Sequence, residues 1–247
     1  MTTQKDLELM LTIKMLIAFV FFIPLFTSQL HAEENYTICT TLSPPLSTEK
    51  HDGILDKILI EAFSRSQATI NLVITPSERG LINANNGTAD GDANRISGLQ
   101  STYNNLIQVQ ESNMTYEFVA FTKNKDIAIK DWSDLKGHTV GYITWWKIFD
   151  EKVPSENILK VDDVDQLFAL LNRDEVDIIL YYRIGGDYYL KTHKEKNVFI
   201  IEPPLEKRDM FLYLNKQHQN ISKTLESALI EMKQDGTIDR IITESFN

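Results

Sequence analysis

From Tyr36 onward, short runs rich in β-branched and aromatic residues alternate with stretches whose apolar side chains recur at helical spacing. That alternation points to α/β layers rather than to a sandwich or a helical bundle. "YTICTT" (36–41) has strand composition, and "GILDKILIEAFSRS" (53–66) sets Ile54, Leu55, Ile58, Leu59, Ala62 and Phe63 on one helical face. "INLVIT" (70–75) is the next strand, followed by a short helix over about 77–85. Further strands are expected at 116–122, 176–182, 198–204 and 210–215, with another closing the stretch 131–144. Between them, Val164, Leu167, Phe168 and Leu171 share one face of a helix over 162–173, and two helices, "ISKTLESALIEMKQDG" and "TIDRIITESF", end the chain.

One block occurs twice. Strand, helix and "NGTAD" (86–90) are echoed by strand, helix and "NRDEVD" (172–177), each with an Asp opening the strand that follows. The echo suggests two similar lobes, and 247 residues at 43% hydrophobic content suffice for either one large core or two small ones.

The N-terminus has a different character. "MLIAFVFFIPLF" (15–26) follows Lys14, is too short for a membrane-crossing helix, and leads through "LHA" to two glutamates. It is expected to be a secretory signal spanning residues 1–32, which places the mature protein in a periplasm. The acidic residues Asp6 and Glu8 suit such a leader poorly, so translation from Met10 or Met15 is an alternative start. A formal charge of −10 argues against a nucleic-acid partner, because phosphate binding asks for a basic face. The single cysteine, Cys39, sits within an apolar run and is expected to be a buried strand thiol.

Taken in order, "TTLSPPLS", "GILDKILIEAF", "PSERGLINANNGTADGD", "DLKGHTVGYI", "LFALLNRDEVDIILY" and "ALIEMKQDGTIDRII" resemble the family 3 extracellular solute-binding proteins, the periplasmic amino-acid-binding components of ABC transporters. The resemblance covers essentially the whole chain after the leader. It implies a two-lobed α/β fold in which each lobe is a small mixed sheet flanked by helices. Lobe 1 would comprise residues 33–117 plus 209–247 and lobe 2 residues 118–208, joined by two hinge strands, with a small-molecule ligand in the interlobe cleft. A membrane permease, or a receptor in a sensory variant, would be the partner of a monomer.

The family's ligand handles are not carried over intact. Its carboxylate-clamping Arg lies roughly a dozen residues beyond the Asp that follows the turn glycine, and here that segment offers Thr102 or Tyr103. Its ammonium-binding acid corresponds to Tyr182. The substitute candidates are Arg79, Arg95 and Arg183. Asp92 and Asn94 stand at the same strand edge as Arg95, Ser43 and Pro45 stand in the loop after the first strand, and Thr144, Trp145 and Trp146 stand where a lobe-2 strand meets a helix. With Tyr181 and Tyr182 the indoles offer stacking surfaces.

Enzyme signatures are thin. There is no G-x-S-x-G, H-E-x-x-H or P-loop, and the five histidines are scattered, so neither metal nor cofactor is expected. A dehydratase-like enzyme on the same fold is the alternative, with Asp92 and Glu202 as its acid or base. "NGTADGDANR" (86–95) spaces three oxygen-bearing side chains like a calcium loop. Arg95 stands where such a loop needs glycine and Ser101 where it needs glutamate, so a turn leading into a strand is expected instead.

Overall fold

The computed structural model describes residues 34–144, 146–154 and 156–246. The expected leader and Trp145 lie outside the described residues. Strand β1 (Glu34–Thr40) pairs in parallel with β2 (Ala68–Ile74) along its whole length and with β3 (Gly91–Arg95) at Ile38 and Cys39. Helix α1 (Ile54–Arg65) joins β1 to β2, and α2 (Ser77–Asn86) joins β2 to β3. All six apolar residues expected on one face of α1 are buried, because a 3.6-residue period keeps them on the side that meets the sheet. Cys39 is a buried free thiol on β1.

A second group of strands follows the same plan. Strand β6 (Val140–Ile143) runs parallel to β7 (Ile158–Val161) and to β8 (Ile178–Tyr182), with α3 (Lys147–Lys152) and α4 (Val164–Asn172) as connections. Leu167, Phe168 and Leu171 of α4 are buried. Between the groups, β4 (Leu106–Gln108) and β5 (Met114–Thr122) pair antiparallel with β9 (Phe199–Asn215), which β5 also links to β8. Helices α6 (Gln219–Gln234) and α7 (Thr237–Glu244) close the chain.

The repeated Asp does the same work twice. The Asp90 carboxylate accepts the Thr37 N–H at 2.7 Å while the Asp90 N–H donates to the Thr37 carbonyl at 2.8 Å. Asp177 repeats both bonds with Thr139, at 2.8 and 3.0 Å. Each carboxylate takes an N–H of the neighbouring strand where the ladder begins, which sets the register of the parallel pair.

One expectation needs correction. The runs 198–204 and 210–215 are one strand of 17 residues, not two. The prolines between them do not interrupt it because the β5–β9 register jumps from Phe118↔Glu206 to Ala120↔Ile201, and Pro203 and Pro204 fall within the jump. Lacking N–H groups costs nothing at such a bulge. Residues Arg183–Thr192, which carry no clear periodicity, form a helix, α5. Its Gly185–Gly186 pair weakens the sequence signal, and both glycines are buried in the packed helix.

Candidate functional site

The loop after β1 is shaped by one buried carboxylate. Asp56, in the first turn of α1, accepts the N–H groups of Gly53 and Thr48 at 3.1 and 3.0 Å and the Ser47 hydroxyl at 2.7 Å. This ties the turn from Ser43 to Ser47 to the helix N-terminus, where a negative charge is favoured. Pro45 is buried in that turn, its carbonyl accepting the Ile54 N–H at 2.9 Å, and Ser43 remains partly exposed beside it.

At the end of β3 the chain makes a bulge. Asn94 adopts φ 67°, a left-handed conformation that asparagine tolerates better than most residues, and the β3–β9 register shifts across it. Its amide donates to the Tyr116 hydroxyl at 2.6 Å and accepts from Asn113 at 3.0 Å. The bulge sends Arg95 back toward the protein. The guanidinium binds both oxygens of Asp92, the Ser77 hydroxyl at 2.6 Å and the Ser77 carbonyl at 3.0 Å. Asp92 is fully buried, and burial pushes its carboxyl up against the opposing pull of Arg95. "NGTADGDANR" therefore disperses its oxygens: Asp90 serves β1 and His218, Asp92 serves Arg95, and Asn94 serves Tyr116. The expected turn is there, with Gly87 at φ 76° ending α2.

Four rings, Tyr116 from β5 and three from the second strand group, form a column. Tyr116 stacks on Tyr182 (centroids 5.1 Å, 13°), Tyr182 on Trp146 (5.7 Å, 15°) and Trp146 on Phe149 (5.6 Å, 10°). Tyr181 leans against both Trp146 and Tyr182. Burial pushes the phenols of Tyr116, Tyr181 and Tyr182 up, so all three are neutral donors at any physiological pH. The Tyr182 hydroxyl crosses to the β1 loop, reaching the Pro44 carbonyl at 3.4 Å and the Ser43 hydroxyl at 3.5 Å. Thr144 is turned away into the sheet, its N–H and hydroxyl both on the Val161 carbonyl, at 2.8 and 3.0 Å.

Arg183 lies beside the column and is held by carboxylates. Arg183 binds Glu117 and spans both oxygens of Glu202, at 2.8 and 2.9 Å. Lys207 also binds Glu117, and this ammonium first, with Arg183 reinforcing it, holds the Glu117 carboxyl below the usual range despite partial burial. Glu117 and Lys207 are opposite one another in the β5–β9 ladder and thus share one face of the ribbon, whereas Tyr116 is paired with Arg208 on the other. A cavity of about 580 Å3 opens on the Glu117 face, walled by Arg183, Lys207 and the edges of Tyr116 and Tyr182. Arg79 is exposed on α2. At the position of the family's clamping Arg, Thr102 is exposed, and the Tyr103 hydroxyl is bonded to Glu78.

Of the residues picked out from sequence, Ser43, Asn94, Trp146, Tyr181 and Tyr182 converge around one column. Asp92 and Arg95 pair with each other, and Arg183 lies in the ionic cluster on the Glu117 face. Tyr116, the ring that links Asn94 to Tyr182, was not among them. Its signal was only an aromatic residue opening a strand.

No protein-family model matches the chain. An uncharacterised protein of Shewanella oneidensis is 26% identical over 175 residues, which span 68% of this chain and 66% of that relative. The L-cystine-binding protein TcyA of Bacillus subtilis is 23% identical over 202 residues, 81% of this chain and 74% of TcyA. The L-cystine solute receptor of Neisseria gonorrhoeae, in its unliganded open conformation, superposes with a TM-score of 0.69 over 87% of this chain and 94% of the receptor, at 19% identity. The chain has the two-lobed fold of the family 3 solute-binding proteins. Within that fold the β1 loop and the β3 bulge belong to one strand group, and Trp146 and Tyr182 to the other. The column thus stands where the two groups meet. Among the described residues no helix is long and apolar enough to cross a membrane.

Proposed function

We propose that this protein is a secreted periplasmic solute-binding protein of the family 3 type. It captures a small polar or aromatic ligand, amino-acid-like or an organic acid, between lobe 1 (33–117 plus 209–247) and lobe 2 (118–208) and presents it to an ABC-type membrane permease. The observation that carries this reading is the convergence of Ser43 and Asn94 from one strand group with Trp146 and Tyr182 from the other. Residues from separate elements meeting around aromatic faces are what a binding cleft requires. The names of the relatives, an L-cystine-binding protein and an L-cystine receptor, agree with it. The ligand shell we assign is Ser43, Asn94, Tyr116, Trp146, Tyr181 and Tyr182.

The dehydratase alternative finds less support. Asp92 and Glu202 are each engaged through both oxygens by a guanidinium, which leaves neither poised to exchange a proton with a substrate. A thermal-shift screen of amino acids, organic acids and aromatic metabolites, followed by small-angle scattering of each hit, tests the reading. A stabilising ligand that also compacts the protein is the expected result. Failure of every compound to shift the melting temperature overturns it.

A further inference from the structure

The rings of Tyr116, Tyr182 and Trp146 are stacked nearly parallel, and the middle one belongs to neither wall. Tyr116 is fixed by the Asn94 amide, and Trp146 is backed by Phe149. Tyr182 is fastened at its hydroxyl by the neighbouring Tyr181 hydroxyl of its own strand, and across to the β1 loop by long contacts of 3.4 and 3.5 Å to Pro44 and Ser43, beyond the usual range for hydrogen bonds between oxygens. Withdrawing it leaves two aromatic walls two stacking spacings apart, with the Pro44 carbonyl and the Ser43 hydroxyl at the far edge. That is a slot for one flat ring carrying one hydroxyl or N–H.

The charges around the slot point the same way. The two arginines nearest in sequence to these residues are saturated, Arg95 by Asp92 and Ser77, and Arg183 by Glu117 and Glu202. Replacing such partners with a ligand carboxylate would strand Asp92 as a buried, uncompensated charge. The carboxylates in the cavity beside Tyr182 are likewise engaged, Glu117 by Lys207 and Arg183 and Asp209 by the Thr115 hydroxyl at 2.6 Å.

We propose that Tyr182 is an internal stand-in for the ligand, and that the cleft takes an uncharged, flat ring with a single hydrogen-bond donor, of phenol or indole type, which displaces the Tyr182 ring from between Tyr116 and Trp146. This rests on the cleft-binding reading above and narrows it. The Tyr182 ring lies directly over Gly185, where an added Cβ would meet Cζ of Tyr182 at 2.3 Å and Cε1 of Tyr181 at 2.7 Å. Gly185→Ala therefore forces the Tyr182 ring, and with it the edge of Tyr181, to shift while favouring the helix backbone.

The test is calorimetric titration of the wild-type protein with p-cresol, indole and tyrosol, and in parallel with L-tyrosine, L-phenylalanine and L-cystine. Both series are repeated on Gly185→Ala and on Tyr182→Ala, with circular dichroism to confirm folding. The expected result is that a neutral ring binds the wild type more tightly than any of the amino acids, and that a folded variant binds it at least about tenfold more tightly, because competition from the tethered ring is gone. Tighter binding of an amino acid by the wild type, with compaction, keeps the solute-binding reading and overturns the stand-in. Equal affinity of variant and wild type for the rings also overturns it. Absence of binding by every probe, together with a blank metabolite screen, overturns both.

Discussion

Arg95→Ala separates a ligand clamp from an internal strut. In the structure the guanidinium is the ionic partner of Asp92, whose side chain has no exposed surface, while the Arg95 side chain itself is 12% exposed. Removing one partner of a buried pair costs about 3–5 kcal/mol, because the other is left as an uncompensated charge. Here the loss has a ceiling, since stranded Asp92 escapes by taking up a proton. Relative to an ordinary carboxyl pKa near 3.9, protonation costs about 1.4 kcal/mol per pH unit, which caps the penalty at about 4 kcal/mol at pH 7 and about 1.5 kcal/mol at pH 5. The sign follows from the direction of the shift. In the variant the folded-state pKa of Asp92 rises above its unfolded value, so the folded form binds more protons and the penalty shrinks as pH falls. Asp92→Asn combined with Arg95→Ala removes the charge along with its partner and should recover at least half of the loss at pH 7. Urea unfolding of the three proteins at pH 5 and 7 measures all of this. A loss below about 1 kcal/mol for Arg95→Ala at pH 7, or one that does not change with pH, refutes the strut and restores Arg95 as a candidate for contact with ligand.

Three further outcomes follow from the same geometry. Asp56→Ala leaves three donors around the β1 turn unpaired and should cost about 2–4 kcal/mol in urea unfolding, with faster amide exchange at Leu46, Ser47 and Thr48. Asn94→Ala places a less tolerant residue at φ 67° and removes the bond to Tyr116, a loss of about 2 kcal/mol that Asn94→Gly should reduce to about 1 kcal/mol. Asp235 is held down to about 2, first by the Thr237 hydroxyl and then by Arg65. Because its folded pKa lies below the unfolded value, its stabilisation is complete above about pH 5 and is lost as pH falls toward 2. The difference in urea midpoint between wild type and Asp235→Asn should therefore close over that range, and a difference that persists at pH 2 contradicts the assignment.

What could be foreseen from residues alone was whatever depends on local spacing. The buried face of α1 follows from apolar residues at helical intervals, and the echo at Asp90 and Asp177 follows from two carboxylates placed alike at strand starts. The destination of a long side chain does not depend on spacing alone. Arg95 turns onto Asp92 because the bulge at Asn94 rotates the strand between them, and a bulge depends on a partner strand more than a hundred residues away. Tyr116 was missed for the same reason. Which face of β5 looks at Tyr182 is decided by pairing with β8 and β9, and a one-residue slip would have presented Glu117 instead. Helix α5 escaped because two adjacent glycines argue against a helix in isolation, whereas the Tyr181, Tyr182 and Phe121 rings packed over them leave no room for a larger residue.

The reach of Tyr182 to the Pro44 carbonyl brings the end of β8 to the loop after β1, 138 residues away in the chain. A single neutral hydrogen bond of about 0.5–1.5 kcal/mol is one contribution beside the stacking of Tyr116 on Tyr182, so losing the hydroxyl alone shifts the balance by no more than about tenfold. Because the acceptor is a main-chain oxygen, control of this contact rests with the phenol: Tyr182→Phe edits it and leaves the loop untouched.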